Sequence, residues 1–144
     1  MANKEKDKEQ EQAGTDDAIV LMFLNLVEED GIEVEVTLSV RGTIVSGTLI
    51  GASAYYEGIT ESSKKLTDTT MSKIISKKFG DLKNAYAKQK QDEADKEANE
   101  NTLTFIHLKD AKYLSTSGQP LPSSGTWWRG RISSIDGFSF DSLV

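Results

Sequence analysis

The chain has 144 residues, no cysteine, one histidine and a formal net charge of −6. That length suits one ordinary domain with a single core, and the lack of cysteine excludes a disulfide framework and a thiolate metal site. Residues 1–17 carry three Lys against six acids and residues 88–101 carry three against five, so the rest of the chain is close to neutral. With no basic stripe to neutralise phosphates, nucleic acid is not an expected partner.

Residues 1–14 have almost no apolar content and read as a disordered polar tail, leaving 15–144 as a single α+β domain. The charged start, Met-Ala-Asn-Lys-Glu-Lys-Asp-Lys, lacks the apolar centre of a secretory signal. No run approaches the roughly 20 apolar residues of a membrane helix. A soluble cytoplasmic protein without membrane contact is the expectation. Thr15 or Asp16 reads as an N-cap. The stripe Ile19, Val20, Met22, Phe23, Leu26, Val27 then predicts an amphipathic helix that ends at Asp30-Gly31.

Ile32, Val34, Val36, Leu38 and Val40 alternate with Glu33, Glu35, Thr37 and Ser39, the period of a half-buried strand. Arg41-Gly42 supplies a tight turn, and Thr43–Ile50 runs back as the second strand of a hairpin. Beyond it the spacing becomes helical. Ser53 can cap a short helix through Tyr55, Tyr56 and Ile59. A second helix starts near Thr67 or Asp68, with Met71, Ile74, Ile75, Phe79, Leu82 and Tyr86 as its docking stripe. The stripe fails after Tyr86, so 88–101 is expected to be frayed helix or a flexible linker inside a helical insert over 53–100.

Strand character returns at Leu103–Leu114. Ser115 to Thr126, with both prolines, reads as a loop, and Trp127 to Ile135 as a further strand. Asp136-Gly137 gives a hairpin-turn signal, and Phe138-Ser-Phe140 begins the return. The expected fold is α+β: a small Sm-like or SH3-like antiparallel barrel, or a strongly bent sheet of about five strands. It has an N-terminal helix and a helical insert between strands two and three.

Catalysis has little foothold, and no catalytic, cofactor-binding or metal-binding residue is assigned. His107 sits in an apolar strand with no cysteine to support it and reads as structural. Glu33 and Glu35 share a face, but outward acids on an alternating strand serve solvation. Neither G-x-S-x-G nor a phosphate-binding G-x-x-x-x-G-K-[ST] occurs. An interaction surface is better founded. In Trp127-Trp128-Arg129-Gly130-Arg131, strand alternation sends Trp128 and Ile132 to one face and Trp127, Arg129 and Arg131 to the other. An outward row of Trp and Arg has the residue types that dominate binding hot spots. The insert helix adds Lys73 and Lys77 as candidate contacts to an acidic partner.

Four blocks, taken in order, carry a resemblance: Val40-Arg-Gly-Thr-Ile-Val-Ser-Gly-Thr-Leu-Ile50, Tyr55-Tyr-Glu57, Phe105-Ile-His-Leu-Lys109, and Trp128-Arg-Gly-Arg-Ile132 with Asp136-Gly137-Phe138. Over roughly residues 18–140 the chain resembles the GvpU family of gas-vesicle accessory proteins. The resemblance implies a cytoplasmic, non-enzymatic protein that works by protein–protein interaction in vesicle assembly or clustering. Its implied partners are the vesicle shell or other gas vesicle proteins, and self-association into a homo-oligomer is a further expectation. The family offers no catalytic residue or cofactor to carry over. The alternative, drawn from the hairpin alone, is an Sm-like module binding RNA or a nucleotide, which the charge distribution opposes.

Overall fold

A computed structural model describes residues 18–94, 104–115 and 118–141. The expected polar tail, the caps Thr15 and Asp16, and residues 95–101 of the expected linker lie outside the described residues. The elements in chain order are α1 (Ala18–Glu29), β1 (Val34–Val40), β2 (Thr43–Ile50), α2 (Ala52–Ser63), α3 (Thr69–Ala94), β3 (Phe105–Leu114), β4 (Pro120–Arg131), a 3₁₀ turn (Ile132–Ser134) and β5 (Ile135–Phe140). Contacts divide them into a sheet unit, α1 with β1–β5, and a helical unit, α2 with α3. Among the described residues no helix is long and apolar enough to cross a membrane.

The first hairpin forms as the alternation predicts, with Val40 paired to Thr43 across Arg41-Gly42. Both turn residues have positive φ, +50° at Arg41 and +86° at Gly42. That is the type I′ geometry whose twist matches the flanking strands. The left-handed Arg41 is held by its own main chain, because its N–H donates to Asp136 Oδ2 at 2.9 Å.

The sheet order is β4-β3-β2-β1-β5, with every neighbouring pair antiparallel. It is not a closed barrel. Among the described residues β4 bonds only to β3 and β5 only to β1, so both are edges of the sheet. The expected turn at Asp136-Gly137 is also corrected: both residues lie inside β5, where Gly137 pairs with Ser39. The chain turns earlier, at Ile132–Ser134, and passes from one edge of the sheet to the other instead of doubling back on β4. A second correction concerns the Ser/Gly/Pro segment, most of which belongs to β4 from Pro120 onward. An edge strand tolerates proline because its outward side needs no ladder donor.

One face of the sheet carries the core. Val36, Leu38, Val45, Leu49, Ile106 and Leu108 are fully buried there and cluster with Val20, Leu24 and Val27 of α1. β2 comes close to β3 where the register shifts between Ser46 and Thr48. A Cβ at Gly47 would stand 3.0 Å from the Ala111 Cα and 3.1 Å from the Lys109 carbonyl oxygen, so only glycine fits that approach. Helix α1 stops after Glu29 as expected, with Gly31 at φ +66°.

In the helical unit, Asp68 Oδ1 accepts the Met71 N–H at 3.0 Å and caps α3. The Ser72 hydroxyl donates to the Ser63 carbonyl at 2.9 Å, and the Tyr86 ring lies 5.4 Å from that of Tyr56. Residues 88–94, expected as frayed helix or linker, continue α3. The predicted docking stripe is corrected in part. The more buried side of α3 runs through Ser72, Ile75, Phe79 and Tyr86, whereas Met71, Ile74 and Leu82 are exposed.

Candidate interaction surface

Strand β4 places the Trp–Arg segment at a sheet edge, and its register against β3 assigns the two faces. Trp128 stands opposite Leu108 and Gly130 opposite Ile106, which puts them on the core side. Trp128 packs against the core cluster and Ile132 belongs to it. The indole lies across Gly130, where a Cβ would collide with the Trp128 ring atoms, so this glycine is the floor on which the ring rests. The pairing of a large aromatic with a bare backbone is what lets an edge strand cover the end of the core.

Arg129 stands opposite His107 and Arg131 opposite Phe105, on the other face. Both arginines are exposed and Trp127 is half-buried. The Arg129 guanidinium lies 3.9 Å from the centroid of the Phe105 ring, a cation–π contact that orients the side chain. The register thus puts Trp128 and Arg129 on opposite faces, and Ile132 is buried, but Trp128, expected in the core, is half-buried like Trp127 and packs against the core cluster from the sheet edge. Trp127 is the least open of the outward row.

His107 is buried in β3. Burial foremost, and then the positive charge of Arg129, push its pKa down to about 4. The imidazole is neutral near pH 7 and unsuited to delivering charge to a substrate. Glu33 is engaged by Lys109, whose Nζ donates to Oε1 at 2.8 Å. Among the described residues no group of three His, Cys, Asp or Glu could hold a metal ion. On the polar face of β1 and β2, the hydroxyls of Thr37 and Ser46 lie 2.9 Å apart, and Thr37 also donates to the Asp141 carbonyl at 3.0 Å. These groups satisfy one another and so bind the sheet together.

Lys73 and Lys77 are exposed on α3 of the helical unit, whereas the Trp–Arg row belongs to the sheet unit. Sequence reasoning missed an apolar surface on the sheet unit, where Ile19, Met22 and Phe140 are exposed. Phe23 links α1 to β5, its ring 5.3 Å from Phe138 and 5.8 Å from Phe140. The available signal was the width of the α1 stripe, broader than one docked face requires.

No curated protein and no solved structure matches the chain, and the Sm-like alternative gains no support from either comparison. A family model described as gas vesicle protein GvpU-like matches residues 17–143, which includes every described element from α1 to β5. The chain belongs to the gas vesicle protein GvpU-like family.

Proposed function

We propose that this protein is a non-enzymatic accessory factor that acts in gas-vesicle assembly or clustering through the outer row of β4. The observation that carries the reading is the exposed Arg129–Arg131 pair on an open sheet edge in a GvpU-like chain. An open edge offers main-chain donors and acceptors to an added strand. The arginines supply forked donors that pair with carboxylates, and Arg129 is pre-oriented by Phe105, which lowers the entropy lost on binding. Half-buried Trp127 gives the row an apolar anchor.

The partner in this reading is the vesicle shell or another gas vesicle protein, in the cytoplasm, with Lys73 and Lys77 of α3 as a second contact. Gas-filled compartments rise on centrifugation, which supplies the test. Purified protein mixed with isolated vesicles should be carried upward with them. Protein left behind in the liquid, across a wide range of vesicle concentrations, would contradict a direct vesicle contact.

A further inference from the structure

The two edges of the sheet are finished differently. β4 carries Pro120 and Pro122, and its register against β3 shifts twice, devices that blunt an edge. β5 has neither proline nor lysine, and from Gly137 to Phe140 it keeps a regular register with β1, its one ladder partner among the described residues. The Asp141 N–H donates to the Glu35 carbonyl at 2.8 Å. Main-chain direction alternates along a strand, so Ser139, opposite Thr37, also turns its N–H and C=O toward β1. Phe138 and Phe140 turn theirs to the outer side.

Those outward groups border an apolar surface. The side chains of Phe138 and Phe140 lie on the core side, opposite Leu38 and Val36, and the Phe23 ring of α1 is in contact with both. Phe140 is nevertheless 68% exposed, and so is 55% of Ile19, which lies one helical turn before Phe23 on the same side of α1. The charge around this surface has one sign. α1 and β5, with the residue that follows each, hold Glu28, Glu29, Asp30, Asp136 and Asp141 and no Lys or Arg.

We propose that the β5 edge takes an extended segment of another protein in which apolar residues alternate with Lys or Arg, added antiparallel as a further strand. Its main chain hydrogen-bonds to Phe138 and Phe140, its apolar side chains cover Phe140 beside Phe23 and Ile19, and its cations face the acids of β5. Neither another segment of this chain nor a second copy matches the edge as well. Residues 1–17 and 95–102 are acidic and poor in apolar side chains. α3 is basic, but its main-chain groups are used within the helix. β4 of a second copy brings Trp128, packed on its own core, and a bare Gly130, which leave Phe140 uncovered. The site lies at the other edge of the sheet from the vesicle contact placed on β4, and it is tested without vesicles.

The probe is a fluorescein-labelled peptide, Lys-Val-Lys-Phe-Lys-Val-Lys, titrated with the full chain and followed by fluorescence anisotropy. Saturable binding is expected, and exchanging every Lys of the peptide for Glu should weaken it about tenfold or more. N-methylation of the apolar residues of the peptide, whose N–H groups face β5 in this antiparallel register, should weaken it by a similar factor. Phe140→Ser and Ile19→Ser should each weaken it about fivefold or more. Both side chains are mostly exposed, so thermal melting should stay close to that of the parent. Ile19 lies outside β5, so its variant reads the contact separately from any loosening of the strand. No saturable binding, equal binding of the Lys and Glu peptides, indifference to N-methylation, or variants that bind as the parent does would each overturn the proposal. So would self-association of the chain that Phe140→Ser abolishes, because the edge would then belong to a second copy.

Discussion

In the sheet unit the largest side chains removed from water include Leu24, Leu38, Leu49, Ile106 and Leu108, beside the smaller polar groups of Thr37 and Ser46 and the imidazole of His107, while in the helical unit Tyr55, Tyr56, Thr60, Ser63 and Ser72 are buried together with Ala52. The aliphatic side chains of the first set pack as one cluster. The second set is mainly aromatic or hydroxyl-bearing and is latched by specific bonds, such as Thr60 Oγ1 to the Tyr56 carbonyl at 2.6 Å and Ser72 Oγ to the Ser63 carbonyl at 2.9 Å. Aliphatic burial is worth roughly 25 cal/mol per Å², whereas a hydrogen bond contributes a net of about 1 kcal/mol. The contrast assigns most of the stability to the sheet unit. It also leaves α3 a long exposed surface that includes Met71, Ile74 and Leu82.

The strongest way to break this comparison is to empty the sheet core. Leu49→Ala should destabilise the protein by about 4 kcal/mol, the scale of a Leu→Ala cavity in a packed core. Chemical denaturation would measure it. A loss below that of a helical-unit truncation would reverse the ranking of the two units.

Acid probes the same unit from its polar face. His107 has a pKa near 4 in the folded chain, below the ordinary 6.5, because burial and then Arg129 disfavour its charge. The unfolded chain binds the proton first, so the contribution of neutral His107 is complete above pH 6.5 and declines as the pH falls toward 4. The total loss is about 3 kcal/mol, from 1.36 kcal/mol per pKa unit. Stability of the parent and of His107→Gln should therefore converge between pH 7 and pH 4. Parallel curves would show that His107 does not titrate in that window.

A smaller effect is expected in the helical unit. Tyr86→Ala removes the ring contact with Tyr56 and should cost about 1 kcal/mol, within the range of a single aromatic pair. Amide hydrogen exchange should quicken in α2 and α3 and stay unchanged in β1–β3. Faster exchange across the whole sheet would mean that the two units do not differ as their buried side chains indicate.

The sequence made the first hairpin legible because its signal is local: strict alternation on both sides of Arg41-Gly42. Membership of the GvpU-like family was also readable, from the order of four short blocks. The start of β4 was not, because Pro120, Pro122, Ser123 and Ser124 read as loop, and only their position on an edge makes them strand. Asp136-Gly137 misled for a related reason. The dipeptide favours a turn locally, but β5 is fixed by a distant partner, β1, and Asp136 is recruited to hold the Arg41 N–H. Closure of the sheet was equally out of reach, since it depends on whether β4 meets β5 in space. On α3 the helical period was right, yet period alone does not say which side docks. Met71, Ile74 and Leu82 consequently looked like core. The faces of the Trp–Arg segment were legible from alternation, while the half-burial of both Trp127 and Trp128 was not.

In the proposed function β4 divides its labour, with Trp128 packed against the core and Trp127 with Arg129 serving the contact. Vesicle flotation beside thermal melting, for Trp127→Ala/Arg129→Ala and for Trp128→Ala, tests this most directly. The double variant should bind about thirtyfold more weakly, the hot-spot scale of roughly 2 kcal/mol. Its stability should fall by no more than about 1 kcal/mol, from the lost contact with Phe105. Trp128→Ala should lose about 3 kcal/mol of stability through the space left over Gly130. A double variant that melts early, or one that floats as the parent does, would contradict the claim.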